Sequence, residues 1–200
     1  MGSTIAFYFD FSSPYGYFAA VQADELERRT GRAVEWKAIM VGSAFKASGN
    51  KPLVDQPLKG AYSRHDWERM GRLLQVPYRL PDRFPIPTLA PSRAFWWLAD
   101  GDPVQAKAYA KAVYHAYFAD GRDISDPGVA AEIGREIGVD ADVLALAIQD
   151  ETWKQRLRAE TETAIAAGVF GSPYFLVDGE GFWGADRMAM VEDWVKRGGW

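Results

Sequence analysis

The sequence contains no cysteine, which excludes a disulfide framework, a paired-cysteine redox motif and any metal site built on thiolates. Histidine is also scarce, because the chain has only two, His65 and His115. They lie 50 residues apart, a separation that matches no local metal-binding motif. We therefore predict that the protein holds no resident metal and that both histidines are solvated or helix-capping side chains.

Long apolar runs are missing as well. Hydrophobic residues make up 48% of the 200, but they occur in pieces far shorter than the roughly 20 residues needed to cross a bilayer. Residues 1–4 lead into an apolar segment without the basic and hydrophobic stretches of a signal peptide, and residues 198–200 carry no targeting tail. The net charge of −4 is scattered, so no basic patch favours nucleic acid. We expect a cytoplasmic protein with neither a membrane nor a nucleic-acid partner.

The first 40 or so residues show the pattern of a βαβ unit. Residues 5–11 are almost continuously apolar and aromatic, as in a central strand that is covered on both faces. Residues 12–14, Ser-Ser-Pro, resemble a helix start with a serine N-cap and a first-turn proline, and Gly31 is a typical helix end. Residues 33–39 then alternate well enough for a second strand. A crossover of this kind normally joins parallel strands.

The rest of the chain is mostly helical and returns to strands near its end. Residues 42–91 are rich in proline and loop-forming residues, with one helix predicted near 62–74. Periodicity and N-cap signals predict further helices over 92–99, over 104–118, from Asp126, from Asp140 and over 151–167. Residues 174–177 and 181–184 flank a turn typical of a β-hairpin, and Asp186 is predicted to open a last helix.

These elements predict an α/β fold. Neither two-stranded piece is stable alone, so both must share one sheet. We therefore predict one discontinuous domain made of residues 1–56 and 155–200, with residues 57–154 forming an all-helical insertion.

Three motifs, in the same order as the predicted elements, carry a family resemblance. They are residues 9–15 (FDFSSPY), 168–173 (GVFGSP) and 182–187 (FWGADR). Together they resemble the 2-hydroxychromene-2-carboxylate isomerase family, which is similar to kappa-class glutathione transferases and, more distantly, to DsbA-type oxidoreductases. The resemblance covers nearly the full chain and implies a DsbA-like thioredoxin fold with an all-helical insertion. It also implies glutathione as the cofactor, a small aromatic carboxylate as the substrate, and a homodimer.

Ser13 is the first candidate for catalysis. A serine between a strand and a helix start can be a plain N-cap, and Ser12 could fill that role instead. Backbone N–H groups at a helix N-terminus favour an anion, and a hydroxyl can accept one hydrogen bond while it donates another. A cysteine holds this place in the related oxidoreductases. The resemblance therefore implies that the thiol here comes from glutathione and that Ser13 stabilises its thiolate.

The same resemblance implies further contacts with glutathione. It implies a cis peptide bond before Pro173, which would leave the backbone N–H and C=O of Ser172 free to pair with the cysteinyl unit of the ligand. Asp186 and Arg187 are expected at the γ-glutamyl end, although Asp186 could simply cap a helix and Arg187 could pair with a surface acid. Lys59 is expected to meet a carboxylate, unless it is an ordinary solvated lysine.

Four other residues are candidates for contact with the substrate. Tyr15 and Trp183 lie beside the expected ligand and could stack on an aromatic ring, whereas most other tryptophans are expected to fill the core. Asn50 lies in a Gly-Asn-Lys-Pro run that matches the related enzymes, although such a run is also an ordinary turn. Lys46 could meet a substrate carboxylate or stay solvated.

We predict a glutathione-dependent isomerase that interconverts 2-hydroxychromene-2-carboxylate and trans-o-hydroxybenzylidenepyruvate in aromatic hydrocarbon degradation. Two alternatives stay open. One is a kappa-like glutathione transferase or peroxidase that acts on electrophiles, and the other is a non-catalytic thioredoxin-like protein that binds peptides. Thiol–disulfide exchange is excluded because the chain has no cysteine, and serine-based acyl transfer is disfavoured because no GxSxG motif is present.

Overall fold

The computed structural model describes residues 4–200. Residues 1–3 lie outside the described residues, and they belong both to the predicted 1–56 segment and to the start of the chain that was predicted to lack a signal peptide. The strands are β1 (Ile5–Phe9), β2 (Val34–Ala38), β3 (Tyr174–Val177) and β4 (Glu180–Trp183). The helices are α1 (Pro14–Ala20), α2 (Ala23–Thr30), α3 (Val41–Ser48), α4 (Lys59–Leu74), α5 (Leu89–Gly101), α6 (Pro103–Phe118), α7 (Pro127–Glu136), α8 (Ala141–Gln149), α9 (Glu151–Ala166) and α10 (Met188–Arg197). Short 3-10 turns cover Leu53–Asp55 and Ala185–Arg187.

The strands form one sheet in the order β2-β1-β3-β4. β1 is parallel to β2 and antiparallel to β3, and β3 pairs with β4 as a hairpin. In the central strand, Phe7 is in register with Trp36 on one side and Phe175 on the other. Phe7 and Phe9 are fully buried, which explains why this segment is almost continuously apolar. The predicted βαβ unit, the terminal hairpin and their shared sheet are confirmed.

The crossover from β1 to β2 contains two helices, whereas the sequence predicts one. The side-chain amide of Gln22 donates to the carbonyl of Phe18 (2.7 Å), and its backbone N–H donates to the carbonyl of Ala19 (3.1 Å). The chain therefore tightens at Gln22 and the helix is interrupted between α1 and α2. Gly31 ends α2 with a φ of 67°, as predicted.

Residues 42–91 contain more helix than the sequence predicts. α3 and a 3-10 turn form in a segment that was predicted to be loop, and α4 begins at Lys59 instead of near residue 62. α3 has no capping side chain at its own N-cap position. Instead, the N–H of Val41 donates to the Asp10 carboxylate (2.9 Å), 31 residues away. A cap from so distant a residue leaves no local signal, which explains why the helix was not predicted.

The larger of two clusters of buried residues joins the sheet to the helices of the middle region. Tyr114 and Phe118 of α6 are buried, and their rings contact Phe9 and Tyr17 with centroids 6.0 and 5.7 Å apart, respectively. The predicted domain boundary after residue 154 falls inside α9, and the division into two domains stays a prediction. Over residues 4–200, no helix is both long and apolar enough to cross a membrane.

Candidate active site

A cavity of about 980 Å³ opens beyond the end of β1, beside the start of α1 and the loop before β3. Nine of the ten predicted site residues line it: Ser13, Tyr15, Asn50, Lys59, Ser172, Pro173, Trp183, Asp186 and Arg187. Lys46 is exposed on α3 and is not part of the lining, whereas Lys51 from the following loop is. The fold thus brings residues from both ends of the chain to one cavity.

Ser13 caps α1 and is hydrogen-bonded in two directions. Its Oγ accepts the N–H of Gly16 (3.0 Å), so Ser13 rather than Ser12 is the capping residue. The same hydroxyl donates to the backbone carbonyl of Ser172 (2.8 Å). The hydroxyl therefore accepts and donates at once, as the sequence predicts, but its proton is directed at a protein carbonyl.

Gly16 allows α1 to approach the loop before β3. A Cβ at this position would lie 2.5 Å from the Tyr114 hydroxyl, 3.1 Å from the Cβ of Ser13 and 3.2 Å from the Oγ of Ser172. The Tyr114 hydroxyl is fixed because it donates to the Asp10 carbonyl (3.0 Å) and its ring is buried. The absence of a side chain at Gly16 therefore lets Ser13 reach Ser172.

Pro173 follows a cis peptide bond, as predicted, and a second cis bond before Pro85 was not predicted. The prediction that the Ser172 carbonyl is free is wrong, because this carbonyl accepts the Ser13 hydroxyl. The Oγ of Ser172 also accepts the N–H of Asp10 (2.9 Å). Ser172 is therefore tied to the end of β1 through its side chain and to α1 through its backbone.

Asp10 is a buried carboxylate next to Ser13 that was not predicted as a site residue. The residue is 4% exposed, and its carboxylate accepts the N–H groups of Ser12 (2.8 Å) and Val41 (2.9 Å) and the hydroxyl of Thr88 (3.0 Å). Burial raises the pKa of the Asp10 carboxyl above its ordinary value, and the three hydrogen bonds oppose that rise. Asp10 links the starts of α1, α3 and α5. Its sequence signal was an acid at the end of an otherwise apolar strand.

Charged side chains occupy one part of the cavity wall. Asp186 lies inside the second 3-10 turn and makes no capping hydrogen bond, so the prediction that it opens the last helix is wrong. Gly184, with a φ of 118°, precedes it and begins this tighter turn. Arg187 lies near Asp186, with Nη2 and Oδ2 3.8 Å apart, and Lys51 and Lys59 are exposed in the wall. Together these side chains offer one carboxylate and three cations to a ligand.

Another part of the wall is apolar and aromatic. Its members include Met40, Leu53, Tyr62, Trp67, Met70, Phe84 and Ile86. Tyr15 packs against Trp67 with ring centroids 6.0 Å apart, and its hydroxyl donates to Asp66 (2.7 Å). Burial, followed by the bond to Asp66, raises the pKa of the Tyr15 phenol. Among these residues only Tyr15 was predicted as a site residue.

Trp183 is 47% exposed in the cavity wall and contacts Phe170 edge-on, with ring centroids 4.9 Å apart. His65 and His115 are exposed on α4 and α6, outside the cavity lining.

The hydroxyl of Ser13 is hydrogen-bonded to backbone groups on both sides. Such an arrangement can orient and stabilise an anion, whereas a serine nucleophile needs an adjacent side-chain base.

Residues 4–196 match the family model of the DSBA-like thioredoxin domain. A 2-hydroxychromene-2-carboxylate isomerase of Sphingobium xenophagum is 32% identical over 98% of this chain and 99% of its own length. A glutathione S-transferase kappa 2 of Caenorhabditis elegans is 26% identical over 96% of this chain and 91% of its own. A solved structure of a 2-hydroxychromene-2-carboxylate isomerase has a TM-score of 0.88 at 26% identity, and the match covers 98% of this chain and 95% of that one. The predicted α/β, thioredoxin-like fold with additional helices is confirmed.

Proposed function

The chain belongs to the 2-hydroxychromene-2-carboxylate isomerase family of DSBA-like thioredoxin domains, and on that premise we propose that it is a glutathione-dependent isomerase. Its reaction is the interconversion of 2-hydroxychromene-2-carboxylate and trans-o-hydroxybenzylidenepyruvate in aromatic hydrocarbon degradation. The observation that carries the proposal is Ser13, whose hydroxyl lies in the cavity wall of a chain without cysteine. Any thiol chemistry at this place needs a ligand that brings the sulfur.

The residues of the cavity fit glutathione by charge and size. Glutathione carries a thiol, an ammonium and two carboxylates, and the substrate adds a third carboxylate. We assign Asp186 to the ammonium and Lys51, Lys59 and Arg187 to the carboxylates, since charge-assisted hydrogen bonds are strong. The volume of about 980 Å³ is at the upper end of the range of about 300–1,000 Å³ for ligand pockets. The cavity therefore has room for a tripeptide and a small aromatic acid together.

Ser13 is assigned to hold the thiolate by redirecting its proton. Rotation about the Cβ–Oγ bond turns the O–H from the Ser172 carbonyl to the sulfur, while Oγ keeps the hydrogen bond that it accepts from the Gly16 N–H. The released carbonyl, next to Pro173, can accept the cysteinyl N–H of the ligand in a short strand-like contact. The hydroxyl and the carbonyl each keep a hydrogen-bonding partner throughout the exchange.

Stabilising the thiolate and orienting the two ligands are the contributions assigned to the protein. A free thiol has a pKa of about 8.5, so only a small fraction is ionised at neutral pH. A hydrogen bond to a charged group contributes about 1.5–3 kcal/mol, which corresponds to lowering the thiol pKa by about one to two units. When bound, glutathione supplies a thiolate that adds reversibly to the conjugated double bond of the ring-opened substrate, so that the bond can rotate. The charged and aromatic parts of the wall hold the reacting groups together.

Ultraviolet-monitored conversion of 2-hydroxychromene-2-carboxylate by the purified protein, with and without glutathione, tests the proposal. We expect conversion only when glutathione is present, and an unchanged total thiol concentration at the end because the cofactor is regenerated. Conversion at the same rate without glutathione would contradict the cofactor assignment. The absence of conversion in its presence would contradict the isomerase assignment.

A kappa-like glutathione transferase is the second candidate, favoured by the similarity to the kappa relative over nearly the full chain. A transferase consumes glutathione, so a thiol titration after reaction with an electrophile separates the two activities. Binding of extended peptides without affinity for glutathione would favour the non-catalytic alternative. A homodimer and a cytoplasmic location are further proposals from the family resemblance, and light scattering and cell fractionation test them.

A further inference from the structure

Tyr15 and Asp66 form a hydrogen-bonded pair in the aromatic part of the cavity wall. The Tyr15 hydroxyl donates to Oδ2 of Asp66 (2.7 Å), and Oδ1 of the same carboxylate accepts from Arg69 (2.8 Å). The Asp66 side chain is 17% exposed, and Tyr15 is half-buried. Both residues line the same cavity as Ser13. The pair is therefore available to a ligand whose reactive end is held at Ser13.

Apolar side chains lie beside this pair in the wall, and the Asp186 carboxylate of the same wall is close enough to act on the Tyr15 phenol. The Tyr15 ring lies against Trp67, which contacts Phe84 with ring centroids 5.5 Å apart. Met70 and Ile86 also line the cavity. A few polar groups in an otherwise apolar pocket fix the orientation of a ligand and determine its specificity. The same burial keeps the Tyr15 phenol protonated at neutral pH, so that its hydroxyl acts as a donor.

A phenol hydroxyl is the chemical group that matches a donor beside a carboxylate. Placed between the two side chains, it accepts the Tyr15 proton and donates its own proton to Asp66, so two hydrogen bonds replace one. An ether oxygen can only accept, so it would take the Tyr15 proton from Oδ2 of Asp66 and give that oxygen no donor in return. The closed chromene ring presents an ether oxygen at this position of the molecule, whereas the ring-opened form presents a phenol.

We propose that Tyr15 and Asp66 form the subsite for the phenol oxygen of the ring-opened ligand and determine specificity for a hydroxyl beside the side chain of an aromatic acid. This inference rests on the proposed function and names the part of the site that recognises the substrate. It predicts that the protein prefers the ring-opened form, on which the thiol acts, over the closed ring. Tyr15 and Asp66 are thus specificity-determining residues.

Binding of two ligands that differ only in that hydroxyl tests the subsite. Calorimetry would compare trans-o-hydroxybenzylidenepyruvate with trans-benzylidenepyruvate, in the presence of S-methylglutathione, which fills the peptide site but has no thiol to react. We expect the unmodified protein to bind the hydroxylated ligand about tenfold more tightly or better. Tyr15→Phe and Asp66→Asn should each bind the two ligands with affinities within about threefold, through weaker binding of the hydroxylated ligand alone. Tyr62→Phe removes an exposed tyrosine hydroxyl from the same wall and should keep the full preference.

The outcomes separate this proposal from the isomerase assignment. Equal weakening of both ligands in Tyr15→Phe and Asp66→Asn would mean that the pair only joins α1 to α4, and it would overturn the subsite. An unmodified protein that binds both ligands equally, or neither, would overturn it as well. A tenfold preference that both variants lose would support the subsite even if glutathione-dependent conversion fails, because the readout is binding and not turnover.

Discussion

Replacement of Ser13 by alanine tests the two roles of its hydroxyl separately. In the folded protein the change removes the bond from the Gly16 N–H (3.0 Å) and the bond to the Ser172 carbonyl (2.8 Å). Loss of an N-cap costs about 1 kcal/mol, and a neutral hydrogen bond contributes about 0.5–1.5 kcal/mol. We therefore expect the free energy of unfolding to fall by about 2 kcal/mol. Loss of the donor to the thiolate removes about 1.5–3 kcal/mol, which raises the thiol pKa by about one to two units and lowers the thiolate fraction, and with it the rate, by roughly 10- to 25-fold at neutral pH.

The pH dependence of Ser13→Ala distinguishes a catalytic hydroxyl from a purely structural one. Thiolate absorbance of bound glutathione and the rate of conversion should both shift their midpoints upward by about one to two pH units, toward the pKa of about 8.5 of a free thiol. Ser12→Ala is the matched control, because it removes a neighbouring hydroxyl that accepts from the Ile86 N–H (3.3 Å). That control should leave the midpoint unchanged. Unchanged turnover and an unshifted midpoint in Ser13→Ala would remove Ser13 from the mechanism.

Three further predictions concern the surroundings of Ser13. Burial raises the folded-state pKa of Asp10, so the contribution of protonated Asp10 to stability is full below the ordinary pKa of about 3.9 and is lost as pH rises through the folded-state pKa. Thermal unfolding measured from below about pH 4 upward should show this loss in the unmodified protein but not in Asp10→Asn. Parallel curves of stability against pH for the two proteins would contradict the prediction. Gly16→Ala should lower the free energy of unfolding by about 1–3 kcal/mol through overpacking. Gly101→Ala is the control, because a Cβ there meets nothing within 4 Å, and it should not cause this loss. Urea denaturation measures both variants, and equal effects would refute the steric argument. Asp186→Asn should raise the KM for glutathione about two- to fivefold, as expected for the loss of an exposed charge pair, with kcat unchanged. Steady-state kinetics measures both constants, and Asp82→Asn is the control because Asp82 lies outside the cavity lining. An unchanged KM in Asp186→Asn would remove Asp186 from the binding site.

Elements with local signals were predicted well from the sequence. Asp126 and Asp140 were predicted to start helices, and each accepts two N–H groups at the starts of α7 and α8. The turn between β3 and β4 likewise depends on its own residues, since Asp178 and Gly179 both have positive φ. Such features are determined by residues a few positions apart, so a single sequence contains what is needed to predict them.

Several hydrogen bonds between residues far apart in the sequence were not predicted. The cap of α3 comes from Asp10, the hydroxyl of Tyr15 donates to a residue 51 positions later, and Ser13 donates to a carbonyl 159 positions away. If residues 42–52 formed a loop, Lys46 and Lys51 would be equivalent candidates for contact with a carboxylate. Once α3 forms, Lys46 is exposed outside the lining and Lys51 lines the cavity.

On the proposed function, we expect the hydrogen bond from the Ser13 hydroxyl to the Ser172 carbonyl to discriminate against ligands that are only anions. Chloride or a small thiolate such as that of mercaptoethanol can take the hydroxyl proton, but it offers no N–H to the carbonyl that it uncovers. The bond is part-buried, so a Ser172 carbonyl left without a donor costs up to about 1 kcal/mol, which is a penalty of up to about fivefold in affinity. A cysteinyl peptide brings sulfur and N–H on one residue and avoids that penalty. We therefore expect this bond to select thiols by the backbone attached to their sulfur, in addition to the selection by charge that the wall provides.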